Sequence, residues 1–110
     1  MTAPILDFLP GDWVLCQWRG GHFWFPGIVH SINGNSIAIQ YDDGSSEIRP
    51  ANQVRHYDWR IGTRIHAFWE ADQRWYDATV TEMEPNGADL TVRYDDGTIE
   101  KTRTSRCRSL

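Results

Sequence analysis

Apolar and polar residues alternate along short runs of this chain, and turn-forming residues break the runs. Val14, Cys16 and Trp18 share one parity in the first run, and Ile37, Ile39 and Tyr41 share one in a later run. A period of two places such residues on one face of a β-strand. The pattern predicts strands over 13–18, 23–32, 36–41 and 46–49, then over 64–69, 74–83, 89–94 and 98–102, with no helix of useful length. Gly20-Gly21, Asn33-Gly34-Asn35, Asp43-Gly44, Pro85-Asn86-Gly87 and Asp96-Gly97 punctuate them. The Asp-Gly pairs between β-formers are hairpin signals, because glycine accepts the positive φ that such turns demand.

The pattern occurs twice. Gly11, Val14, Trp18, Trp24, Phe25 and Val29 lie over Gly62, Ile65, Trp69, Trp75, Tyr76 and Val80 at one constant offset. Two inserted residues near Asn86-Gly87-Ala88-Asp89 shift the register. From there Ile37 to Gly44, Glu47 and Arg55 lie over Leu90 to Gly97, Glu100 and Arg108. The expected organisation is a leader over 1–10, a first module over 11–57, a connector over 58–61 and a second module over 62–110. Each module holds four or five short antiparallel strands, enough for a small, strongly bent barrel. Modules this small sit near the lower size limit for independent folding, so packing of one on the other is expected to supply part of the stability.

Composition narrows the function classes. The chain has 110 residues, a formal charge of −4 and 24% charged residues, which describes a globular protein and not a disordered tail. Each half carries about the same small acidic excess, so neither is a basic nucleic-acid arm. No run approaches the roughly 20 apolar residues of a membrane-spanning helix, and the first ten residues lack the basic and apolar regions of a signal peptide. Cys16 and Cys107 are too few for a disulfide framework. The protein therefore reads as intracellular, nuclear in a eukaryote and cytoplasmic in a microbe. No phosphate loop, nucleophile elbow or other catalytic signature is present, which argues against an enzyme and for no cofactor. His22, His30, His56 and His66 neither repeat nor join cysteine at a metal-ligand spacing, so no metal site is expected.

The repeated residues resemble a family. Gly-x-x-Val-x-Cys-x-Trp, Phe-Trp-Phe-Pro-Gly-Ile-Val and Ile-x-Tyr-Asp-Asp-Gly-x-x-Glu in the first copy are similar to a Tudor domain, of the wider Tudor, Agenet and chromo-like group. The second copy matches with Gly-x-x-Ile-x-Ala-x-Trp, Trp-Tyr-Asp-Ala-Thr-Val and Val-x-Tyr-Asp-Asp-Gly-x-x-Glu. The resemblance implies an all-β fold of two tandem, packed SH3-like barrels of about five strands each. It also implies a methylated lysine or arginine as ligand, in a peptide or protein such as a histone tail. By position, the implied aromatic cages are Trp18, Phe25, Tyr41 and Asp43 in the first copy and Trp69, Tyr76, Tyr94 and Asp96 in the second. Some binders place a further aromatic after the turn glycine, where Ser45 and Thr98 stand here.

A methylated ammonium or guanidinium keeps its charge while losing hydration, so aromatic faces attract it at about 0.5–2 kcal/mol each, and a carboxylate adds Coulomb attraction. Alternatively, the parity of Trp18 and Tyr41 lets these aromatics close the barrel core, and Asp42-Asp43 and Asp95-Asp96 read first as turn formers bonding local backbone. Trp24 and Trp75, of opposite parity to Phe25 and Tyr76, point to a contact between modules or to an exposed patch. Trp59 in the connector is placed to plug the seam.

Two further readings stand beside the cage. Lys101, Arg103, Arg106 and Arg108 crowd the end of the chain, either as a solvated edge strand or as a basic patch for nucleic acid, with aromatics stacking on bases. The net charge opposes the second. The third reading is a scaffold or adaptor whose cages are filled by its own side chains.

Overall fold

The computed structural model describes residues 8–110; the first seven residues of the expected leader lie outside the described residues. Among the described residues, ten strands form two five-stranded antiparallel sheets. The first sheet contains β1 (Trp13–Gln17), β2 (Trp24–Asn33), β3 (Ser36–Gln40), β4 (Ser46–Pro50) and β5 (Val54–His56), in the order β4-β3-β2-β1-β5. The second contains β6 (Arg64–Trp69), β7 (Arg74–Met83), β8 (Asp89–Tyr94), β9 (Ile99–Arg103) and β10 (Cys107–Arg108), in the order β10-β6-β7-β8-β9. The fold is all-β, two small SH3-like barrels in tandem, and each sheet takes its strands from its own half of the chain. The alternation located eight strands but not the short β5 and β10. Each of these follows a single 3-10 turn, Ala51–Gln53 or Thr104–Arg106, and is too short to show a period.

The curl of each sheet has a local cause. The register slips once in each long strand, between Val29 and Ser31 against β3 and between Val80 and Glu82 against β8. These are equivalent positions of the two copies. A bulge there adds a residue on one side of the ladder, bends the strand and steepens its twist. The hairpins after β3 and β8 close through Gly44 at φ 89° and Gly97 at φ 94°, a region that side chains rarely adopt.

Alternation fills two cores. Val14, Cys16, Val29, Ile37, Ile39, Tyr41 and Val54 form the first. Ile65, Ala67, Ala78, Val80, Leu90, Val92, Tyr94 and Cys107 form most of the second. Leu15 lies between Val14 and Cys16 and therefore faces the other way, into the second core beside Trp59. Strand β1 is thus buried on both faces, and Leu15, with no exposed surface, contributes about 1.5–3 kcal/mol to a core that belongs to the other barrel.

Backbone bonds continue this seam. Trp24 N–H donates to Ser109 O at 2.8 Å, and Ser109 N–H donates to Trp24 O at 3.0 Å. Arg55 stacks on Trp24 at 4.3 Å, and the Arg108 guanidinium sits 3.6 Å from the Phe23 ring and 4.1 Å from that of Trp75. Trp59 is 5% exposed and packs on Tyr57.

Candidate functional site

Strands and turns bring each family-implied quartet together in its own cleft. In the second barrel, Trp69 ends β6, Tyr76 lies on β7 and Tyr94 ends β8. With Asp72, Asp77, Asp95, Asp96 and Thr98 they line a cleft of about 510 Å³. The Tyr94 ring stands nearly perpendicular to both neighbours, 5.5 Å from Trp69 and 6.4 Å from Tyr76, at 86° in each case. Tyr94 is 5% exposed and Tyr76 is 41% exposed, so Tyr94 is the floor and Tyr76 an outer wall.

Hydrogen bonds set these rings. Tyr94 OH donates to Glu100 Oε1 at 2.8 Å, and Tyr76 OH donates to Asp72 Oδ2. Burial, followed by the bond to Glu100, pushes the Tyr94 phenol above its ordinary value, and the bond to Asp72 does the same at Tyr76. Both phenols stay neutral at neutral pH. Asp96 Oδ1 accepts Thr98 N–H at 2.9 Å, which holds its carboxyl below the ordinary range. Arg64 grips Asp95 through Nη1 at 2.6 Å and Nη2 at 2.9 Å, with the same effect on its carboxyl.

In the first barrel, Trp18, Phe25, Tyr41 and Asp43 line a cleft of about 380 Å³ together with Arg19, Glu47 and, from the second barrel, Trp75 and Ser105. Trp18 lies 5.9 Å from Phe25 and is 43% exposed, whereas Tyr41 is 6% exposed. The two readings of this pair therefore divide: Tyr41 belongs to the core and Trp18 opens outward. Glu47 accepts Tyr41 OH at 2.7 Å and Arg19 N–H at 3.2 Å. Burial pushes the nearby Cys16 thiol up to about 11. The Arg19 guanidinium lies 4.7 Å from the Trp18 ring centre, where the second barrel has Glu70 at the matching position.

The aspartate pairs split by position. Asp43 Oδ1 accepts Ser45 N–H at 2.9 Å and Ser45 Oγ–H at 2.6 Å, the local turn bonding expected, and Asp96 follows it. Asp42 and Asp95 depart from that expectation. Asp42 bonds Thr104 and Ser105 of the other barrel, and Asp95 pairs with Arg64. Alternation along the hairpin turns one carboxylate of each pair toward its own turn and the other outward to a partner distant in sequence.

The four C-terminal bases are not gathered on one face. Arg108 is drawn into the aromatic seam, where desolvation lowers its pKa. Arg106 pairs with Glu70, and Arg103 lies 3.9 Å from Asp89. Only Lys101 and Arg103 share the outer side of the edge strand β9.

Glu47 and Glu100 match each other in the repeat, but nothing in the repeat alone assigns them a role. The spacing Tyr-Asp-Asp-Gly-x-x-Glu held the signal: Ile39 pairs with Glu47 and Val92 with Glu100, so each glutamate is the diagonal cross-strand neighbour of the cleft tyrosine. Asp72 and Asp77 carry no repeat counterpart and left no such signal.

Residues 61–110 match the family model described as the Tudor domain of the DNA repair protein Crb2. No curated protein matches the chain in sequence. Among solved structures, the chain is similar to Arabidopsis thaliana AGDP1 AGD34, at 16% identity and TM-score 0.41, over 94% of this chain and 82% of that one. It is similar also to the ADCP1 tandem Agenet domain 3-4, at 16% identity and TM-score 0.42, over 94% of this chain and 80% of that one. Residues 61–110, the second barrel, are thus the part of the chain that is similar in sequence to a Tudor domain.

Proposed function

We propose that the protein is a non-catalytic binding module that takes the methylated side chain of a lysine or arginine in a peptide, chiefly in the cleft of the second barrel. The observation that carries this reading is the convergence of Trp69, Tyr76 and Tyr94 on one open cleft rimmed by Asp72, Asp77 and Asp96. A bulky cation that has lost most of its hydration fits aromatic walls, and the carboxylates add attraction without demanding donors that methylation removed. A site with few other contacts binds weakly, at roughly micromolar dissociation constants or above.

The same rim disfavours nucleic acid, because a phosphate entering the cleft would meet carboxylates. The withdrawal of Arg108 and Arg106 into contacts within the chain weakens the alternative basic surface further.

Titration of the labelled protein with trimethyl-lysine, dimethyl-arginine and their unmethylated forms, followed at the Trp69 indole N–H, tests the reading. Saturable shifts with the methylated forms alone are expected, and they should disappear in the double variant Tyr76→Ala/Asp96→Ala, which keeps the Trp69 indole as reporter, while the Trp59 signal stays in place. Equal response to unmethylated ligand, or none at millimolar concentration, would refute it.

A further inference from the structure

We infer that Trp75, a residue of the second barrel, is a ligand-contacting wall of the first barrel's cleft, which thereby binds a methylated ammonium or guanidinium as a composite of both barrels. The inference rests on the cage reading above and extends it to a site that neither barrel completes alone.

Adjacent residues of β7 point to opposite faces. Tyr76 faces its own cleft, and Trp75 therefore crosses the seam, where its ring lies 5.9 Å from Phe25 at 79° and lines the cleft with Trp18, Phe25 and Tyr41. Four aromatic rings thus meet there, against three in the second cleft. The position after the turn glycine is Ser45, which leaves one side of the first cleft without a ring from its own barrel. Trp75 supplies a ring from the neighbouring barrel.

The placement is built. Phe68 packs on Trp75 at 5.3 Å, and Arg108 stacks on both Trp75 and Phe23, tying the indole to both barrels at once. Beside it, Ser105 lines the same cleft and donates its N–H to Asp42 Oδ2 at 3.2 Å. An aromatic ring fixed in advance costs a ligand little ordering.

The test uses the full chain with Trp69→Ala and Tyr76→Ala, which silence the second cleft at its less buried walls, and follows the Trp18 and Trp75 indole N–H signals as trimethyl-lysine is added. Both should move along one isotherm. Trp75→Ala should weaken binding read at Trp18 by about 2- to 30-fold, the range for one aromatic face, and Trp75→Phe should restore most of it. Trp75→Leu keeps apolar bulk in the seam and should still lose affinity, which separates a ligand wall from packing, with the Trp59 signal reporting on the fold. A Trp75 signal that stays still while Trp18 saturates, or unchanged affinity in Trp75→Leu, would overturn the inference. In the unmodified chain, a Trp69 response with a silent Trp18 defeats this inference alone, whereas silence at both defeats the cage reading as well.

Discussion

Asp42 Oδ2 accepts a 2.6 Å hydrogen bond from Thr104 Oγ1, 62 positions away and across the seam between the barrels. Thr104 is wholly buried, and Asp42 Oδ1 is buried without a partner. Thr104→Val keeps the side-chain shape and removes the donor, leaving the carboxylate with Ser105 N–H alone. A hydrogen bond to a charged group contributes about 1.5–3 kcal/mol, and stability should fall by that amount. Urea unfolding should show a lower midpoint at unchanged slope; a loss under about 0.5 kcal/mol would mean that water replaces the lost donor.

Gly87 marks another place where the barrels touch. Its φ is 77°, and a Cβ there would lie 2.5 Å from Trp13 Nε1, so Gly87→Ala meets both backbone strain and a clash with an indole packed on Tyr57. Overpacking of this kind costs about 1–3 kcal/mol, with left-handed strain added to it. The melting temperature should drop by at least about 4 °C. An unchanged melt would show that Trp13 swings away freely.

The two tyrosine–glutamate pairs are predicted to be unequal. Glu100 takes Tyr94 OH, whereas Glu47 takes Tyr41 OH and Arg19 N–H and lies 3.8 Å from both Cys16 Sγ and Arg49 Nε. Glu47→Leu should therefore destabilise the protein by about 2–3 kcal/mol and Glu100→Leu by about 1 kcal/mol. Glu100→Leu should also release the Tyr94 ring and weaken the second cleft several-fold. Calorimetric melts of the two variants check the order, and the reverse order would contradict it.

Arg19 already presents a cation to Trp18, at a left-handed φ of 52°. A ligand in the first cleft must displace it. Exposed cation–π contacts amount to about 0.5–1 kcal/mol, so Arg19→Ala should tighten trimethyl-lysine binding at Trp18 by about 2- to 5-fold and leave Trp69 unaffected. Weaker binding in the variant would instead make Arg19 part of the site.

Acid should act through carboxylates. Ser45 donors hold Asp43 below its ordinary value of 3.8, as Arg64 holds Asp95 and the Thr98 N–H holds Asp96. A carboxyl with a lowered folded pKa stabilises the fold fully above its unfolded value, and that contribution is lost as pH falls through the folded one. Stability from these groups should be flat from pH 7 to about 5 and decline below about 4. Binding of a quaternary ammonium, whose own charge does not titrate, should hold over the same range, because Asp96 stays ionised. Loss of binding already at pH 5 would point to another titrating group.

The local layer of this protein was legible in its sequence. Period-two runs placed eight strands, Asp43-Gly44 and Asp96-Gly97 placed two hairpins, and the repeat aligned eight of the residues that line the two clefts. The bounds of β1, β2, β3, β4 and β9 moved by one residue at one end or both. Strands β5 and β10 were missed because three and two residues carry no measurable alternation. In the first cleft, Tyr41 took the buried option that parity left open, and Trp18 the exposed one.

The sequence by itself determined eight of the ten strands, the tandem repeat and which aromatics fall on which strand face, because pleat, turn chemistry and alternation act between residues a few positions apart. Only the tertiary structure decided that Leu15 serves the second core, that Asp42 reaches Thr104, that Arg108 leaves the basic tail for the seam and that Trp75 enters the first cleft. Each of these depends on how one barrel docks against the other. Docking is set by shape and desolvation between residues dozens of positions apart, and neither leaves a period in the chain.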